Sequence, residues 1–140
     1  MRIVLDTSAL VAGMRSPAGA SAELLRLARR GRLTLLATVS LAVEYESVCR
    51  RDEHRAAAGL SPEDVDRFLD AVIDLVEPVE AWFLWRPQLR DPGDELVLEA
   101  AANGGADAIA TFNRRDFEPA ARRFGVEILL PGEVLLRSVT

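Results

Sequence analysis

Lysine is missing: all seventeen basic residues of the 140-residue chain are arginines. That absence removes several reaction classes. A Walker-type phosphate loop, pyridoxal chemistry and the strand lysine of kinases each need an ammonium group, so none can be built here. Cysteine and histidine are almost missing as well. Cys49 stands alone and cannot close a disulfide within the chain, so the fold is expected not to depend on an oxidising compartment. His54, also alone, lies in the charged stretch RRDEHR, which reads as a solvated face. One Cys and one His supply neither a Cys/His metal cluster nor a histidine-based triad. No apolar run approaches the roughly 20 residues of a membrane helix, and Asp6 interrupts the opening segment too soon for a signal peptide. A cytoplasmic protein with no membrane partner is expected. The net charge of −5 argues against non-specific electrostatic capture of nucleic acid. Local arginine clusters, Arg29, Arg30 and Arg32, then Arg50, Arg51 and Arg55, Arg114 and Arg115, and Arg122 and Arg123, can still hold phosphates, although pairing with the 22 acids is the simpler reading of any one of them.

What is present fits one domain over residues 1–140, with 49% hydrophobic and 28% charged residues giving a sizeable core. The first ten residues, MRIVLDTSAL, organise the rest. Ile3, Val4 and Leu5 are apolar without alternation, as in a strand covered on both faces, and they stop at Asp6, Thr7 and Ser8. In parallel sheets ligands gather at such carboxyl ends. Val11 to Ala20, with two glycines and Pro17, reads as a loop. Ser21 reads as the cap of a helix closed at Gly31, Leu33 to Val39 as the second strand, and Ser40 as the cap of a helix through about Arg51. On that helix Glu44 and Glu46 lie about 200° apart, so they cannot serve one site together.

Ser61, Pro62 and Asp64 spell a capping box ahead of the stripe Val65, Phe68, Leu69, Val72, Ile73 and Val76. Pro78 to Trp82 is expected as a third strand, and Trp82 and Trp85 fit either the core or the lining of a groove, with the core the better reading. Asp91, Pro92, Gly93 and Asp94 take N-cap, N1, N2 and N3 of a helix that Gly104 and Gly105 close. Ala106 to Thr111 is a fourth strand, Phe117 to Phe124 a short helix, Val126 to Leu130 a last strand and Pro131 to Val139 a closing helix. The alternation predicts the α/β class: a three-layer α/β/α sandwich around a mostly parallel five-stranded sheet with right-handed crossovers.

Four acids then fall at or just past strand carboxyl ends: Asp6, Glu44, Asp94 and Asp116. In a parallel sheet these ends share one edge. Each acid has a local explanation as cap, turn or helix-start residue. Together, without cationic partners, they would repel one another, and such clusters suit hard divalent cations, Mg²⁺ or Mn²⁺.

The stretches VLDTSAL, SLAVEYESVCRR, RDPGDELVLEAAANGGADAIATFNRRDF and PGEVL resemble the PIN domain family, and within it the toxin-like nucleases of bacterial toxin-antitoxin pairs. The resemblance spans nearly the whole chain. It implies a Mg²⁺- or Mn²⁺-dependent endoribonuclease whose catalytic and metal-binding quartet is Asp6, Glu44, Asp94 and Asp116. Thr7, Ser8, Thr111 and Asn113 would give polar support, and Asp91 is an alternative to Asp94. Many members carry an acid where this chain has Asn113, which bears on a second metal. Hydrolysis by a metal-activated water would leave a 5′-phosphate and a 3′-hydroxyl. Arg15, Arg114 and Arg115 are candidate RNA contacts, with single-stranded or looped RNA as substrate. A cognate antitoxin and a homodimer through the helices Leu41 to Arg51 and Val65 to Val76 are the expected partners. A haloacid-dehalogenase-type phosphatase needs a second Asp where Ser8 stands, and a lysine. The rival of another class is a PIN-like module that binds RNA or a partner without cutting.

Overall fold

The computed structural model describes residues 1–82 and 89–138, so the expectation for Trp85 lies outside the described residues. Strand β1 (Arg2–Leu5) occupies the middle of a five-stranded, wholly parallel sheet. Its neighbours are β2 (Thr34–Ala37) and β4 (Ala108–Ala110), and β3 (Val76–Pro78) and β5 (Glu127–Leu129) form the edges, in the order β3-β2-β1-β4-β5. Ile3 pairs with Leu35 on one side and Ala108 on the other. Ile3 and Val4 are wholly buried because helices cover both faces of the sheet, as the unbroken apolar run predicts. The result is the expected three-layer α/β/α sandwich.

The strand order places a crevice. From β1 the chain steps outward to β2 and β3, then returns to the other side of β1 for β4 and β5. The direction of winding reverses between β1 and β4, and at such a switch point the connections leave the two strand ends in opposite directions and open a cleft. Asp6 follows β1 there, and Thr111 follows β4.

Several local expectations change. Thr7–Arg15 forms helix α1, so Val11 to Arg15 are helical rather than part of the expected loop: Ala9, Leu10, Val11 and Met14 are buried, and this packing outweighs the low helix propensity of Gly13. Gly13 is buried where α1 meets α2 (Ala20–Arg29), and a Cβ there would stand in ordinary contact with Leu25 Cδ1 at 3.4 Å and the Ala22 nitrogen at 3.5 Å. Gly19, not Ser21, is the N-cap of α2, and Ser21 is buried inside it. Helix α3 (Val39–Cys49) starts earlier than expected, because Thr38, not Ser40, accepts the Leu41 N–H at 3.1 Å.

The charged stretch after α3 is itself helical, α4 (Asp52–Ala58). Helix α5 (Pro62–Leu75) has its capping box, with Ser61 Oγ accepting from Asp64 N and Asp64 Oδ2 accepting from Ser61 N, both at 3.1 Å. The chain passes directly from α5 into β3, so the third strand is Val76–Pro78 rather than Pro78 to Trp82. Trp82, expected in the core, is 78% exposed. Helix α6 (Pro92–Gly104) is capped by Asp91 and ends at Gly105 with φ +61°. Helix α7 (Arg114–Arg123) begins at Arg114, not Phe117, and α8 (Pro131–Ser138) closes the described chain. Among the described residues no helix is long and apolar enough to cross a membrane.

Candidate active site

Asp6 is the pivot of the site. Its backbone N–H continues the sheet by donating to Ala110 O at 2.9 Å, and its own carbonyl accepts the first bonds of α1. The side chain is free of capping duty, since it makes no cap hydrogen bond. It is 4% exposed, and its Oδ2 accepts from Thr111 Oγ1 at 2.7 Å and from Ser8 Oγ at 2.8 Å. Oδ1 accepts nothing from the protein among the described residues. Two hydroxyls thus fix the rotamer of a buried carboxylate and leave one oxygen for another ligand. Thr111, itself wholly buried, also accepts the Asn113 N–H at 2.9 Å, which holds the turn into α7.

Glu44 reaches the same place from α3. Its Oε1 would stand 3.3 Å from a Cβ added to Gly93, so the carboxylate lies over the first turn of α6. Glu46 pairs with Arg50 at 3.5 Å, as opposite helix faces require. Asp91 and Asp94 divide the work of the α6 start: Asp91 Oδ1 accepts the Gly93 N–H at 2.7 Å, whereas Asp94 makes no hydrogen bond through its carboxylate among the described residues. Burial, joined by the charges of Asp6, Asp91, Asp116 and Glu95, pushes the Asp94 carboxyl up to about 7.

Asp6, Thr7, Ser8, Glu44, Asp94 and Asn113 all line one cavity of about 690 Å³, together with Asp91 and Arg15. Asp116 lies just outside it, in an adjoining cleft of about 540 Å³ that shares Asp91 and Asp94 and holds Arg115. The four predicted acids therefore meet at one edge, three in one cavity and the fourth across the Asp91–Asp94 ridge. Arg114 differs from expectation, because its guanidinium is engaged by Glu133. Two further residues, both of the stretch RRDEHR, line the cavity: Arg51, one of the arginines able to hold phosphates, and His54, which the charge density of that stretch predicts on a solvated face. Helix α4 instead packs on α1, leaving the His54 side chain only 19% exposed.

The donor set fits a hard divalent cation: all-oxygen carboxylates, an unshared Asp6 oxygen, and an Asp94 that burial and its acidic neighbours drive toward protonation. The acids line a cleft rather than closing on a point, for among the described residues no three Asp, Glu, His or Cys side chains form a ready ligand group. A profile described as PIN domain matches residues 2–115. The chain belongs to the PIN domain family. The matched span holds β1 through the start of α7, with Asp6, Glu44, Asp91 and Asp94, and stops one residue short of Asp116. No curated protein matches the chain. PIN domains are generally nucleases that use divalent metals, and this PIN domain has the nuclease-type fold.

Proposed function

We propose that this PIN domain is a Mg²⁺- or Mn²⁺-dependent endoribonuclease and the toxin of a toxin-antitoxin pair. The observation that carries the nuclease reading is the Asp6 carboxylate, buried and held by Ser8 and Thr111 with one oxygen unshared, in one cavity with an Asp94 that burial and then three other acids of the site destabilise as an anion. A divalent cation in such a site supplies Lewis-acid activation of a water and neutralisation of the leaving oxygen. Asp6, Glu44, Asp94 and Asp116 would hold it. Ser8 and Thr111 keep Asp6 aimed, and Asp91 fixes the first turn of α6 so that Asp94 faces the cleft. A single strand or loop is the substrate that suits the cleft, since its backbone can bend toward the acids.

The toxin assignment rests on resemblance of VLDTSAL, SLAVEYESVCRR and TFNRRDF to toxin-like members, and a small neighbouring reading frame encoding a DNA-binding antitoxin would support it. The chain is also proposed to form a homodimer and to work in the cytoplasm as one domain. Val65, Leu69 and Val72 pack into the chain's own core, so the apolar side chains that α3 and α5 leave for a partner copy are Val39, Val43 and Ile73. Sedimentation at micromolar concentration distinguishes a 15.3 kDa monomer from a species of twice that mass.

Asn113, where many members carry an acid, favours one alternative: a PIN module that binds RNA or a partner without cutting. Titration with Mn²⁺ separates the two. The nuclease takes up the ion with an affinity that Asp6→Asn abolishes, and a protein that binds no Mn²⁺ is the non-cutting module.

A further inference from the structure

The arginines that face the acidic cleft are ones the chain leaves without an acid. Several arginines elsewhere are tied down, Arg2 to Glu77 at 2.6 Å, Arg26 to Glu23 at 2.9 Å, Arg67 to Asp64 at 2.9 Å and Arg137 to Glu127 at 2.8 Å, while others such as Arg32 are unpaired among the described residues but lie away from the acids of the site. Arg15, in the last turn of α1, and Arg51, at the entry to α4, are exposed and make no ion pair among the described residues, although both line the cavity that holds Asp6, Glu44 and Asp94. Acids and unpaired arginines therefore line one cleft. In a protein of net charge −5, guanidinium groups left unneutralised beside carboxylates mark a place where a second anion is to be bound.

Arg114, the neighbour of Asn113, does not share this role because Glu133 occupies it. Helices α1 and α4 pack together, so Arg15 and Arg51 are carried by one rigid wall rather than by loops. Planar guanidinium forks match phosphate oxygens, and two of them on one wall can hold consecutive phosphates of a strand.

We infer that Arg15 and Arg51 form a phosphate-holding wall that grips the nucleic-acid backbone on the α1/α4 side of the bond to be cut. This rests on the nuclease reading for its ligand. The acid floor and the arginine wall then divide the substrate: the scissile phosphate goes to the carboxylate side with its cation, and a flanking phosphate goes to the arginines. Both side chains are exposed, so their removal leaves the core untouched.

The test is fluorescence anisotropy of a short labelled oligouridylate in low salt with EDTA, where nothing is cleaved. Arg51→Ala is expected to bind about tenfold more weakly than wild type, Arg15→Ala several-fold more weakly, and each to lower the steepness of the log–log salt dependence by about 0.7. The control is Arg32→Ala, which removes another exposed, unpaired arginine just before β2, at the opposite edge of the sheet, and is expected to bind as wild type. Arg51→Ala binding no more weakly than Arg32→Ala, or a wild type that does not bind the oligonucleotide, overturns the inference. A parallel cleavage assay with Mn²⁺ separates the two claims. Wild type that binds through Arg51 yet cuts nothing leaves the wall standing and removes the nuclease reading. Cleavage whose KM is untouched by Arg51→Ala and Arg15→Ala removes the wall and leaves the nuclease.

Discussion

The Tyr45 phenol donates a 2.6 Å hydrogen bond to the carbonyl of Leu5, the last residue of β1. Tyr45 follows Glu44 in α3, and Leu5 precedes Asp6, so one buried bond ties together the backbones that carry two of the four acids. Tyr45 is 2% exposed, and burial raises its phenol well above the ordinary range, so it stays a neutral donor throughout the working pH range. Tyr45→Phe is expected to cost about 1 kcal/mol in urea unfolding, the usual net worth of such a bond. It should also lower divalent-ion affinity although no ligand is removed.

Asp94 predicts a pH dependence. Its folded-state value is raised to about 7, above the ordinary carboxylate value it takes on unfolding. The native state therefore binds the extra proton more tightly, and the stability associated with it is fully present below the unfolded value and lost as pH rises through about 7. Asp94→Asn should melt higher than wild type at pH 8 in EDTA, and the gap should shrink to nothing by about pH 4. A gap that widens on acidification would contradict this. Divalent binding should run the other way, weakening as pH falls below about 7, since the proton and the cation compete for one carboxylate.

Gly93 tests the placement of Glu44. A Cβ there would meet Asp91 Oδ1 at 3.1 Å and Glu44 Oε1 at 3.3 Å, so Gly93→Ala must push at least one carboxylate aside. Helix propensity favours alanine, and Gly93 is not among the glycines with positive φ. Thermal stability is therefore expected to hold or rise while Mn²⁺ affinity falls several-fold, a split that a calorimetric titration beside a melting curve would show.

Thr111 and Ser8 support Asp6 unequally. Thr111 is wholly buried and Ser8 partly so, and both donate to Asp6 Oδ2. Thr111→Val keeps the shape and removes the donor, so metal affinity should fall at least tenfold, the scale typical of lost supporting bonds around a metal. Ser8→Ala should fall by less.

The sheet and its edge were legible because they rest on signals internal to each segment: an unbroken apolar run in Ile3 to Leu5, the Ser61 capping box, and the Asp91 to Asp94 helix start. The acids followed, since a parallel sheet brings its carboxyl ends to one edge. What escaped depends on contacts distant in sequence. Helix α1 forms despite Gly13 because its apolar face is buried by packing on α2, α3 and α4, a fact no local window contains. His54 reaches the cleft because α4 docks on α1, and a run such as RRDEHR looks the same whether one face is solvated or two. Trp82 was misjudged because β3 is spent by Pro78, which leaves the tryptophan beyond the sheet.

The central claim is that the carboxylates at this edge cut RNA with a divalent cation. Incubation of a single-stranded RNA with wild type and Asp6→Asn, with Mn²⁺ or EDTA, followed by end-group analysis, tests it directly. The account predicts products bearing 5′-phosphate and 3′-hydroxyl ends from wild type with Mn²⁺ alone, with none from Asp6→Asn despite a melting temperature at least that of wild type in EDTA. Cleavage that persists in EDTA, or at wild-type rate in Asp6→Asn, would contradict it.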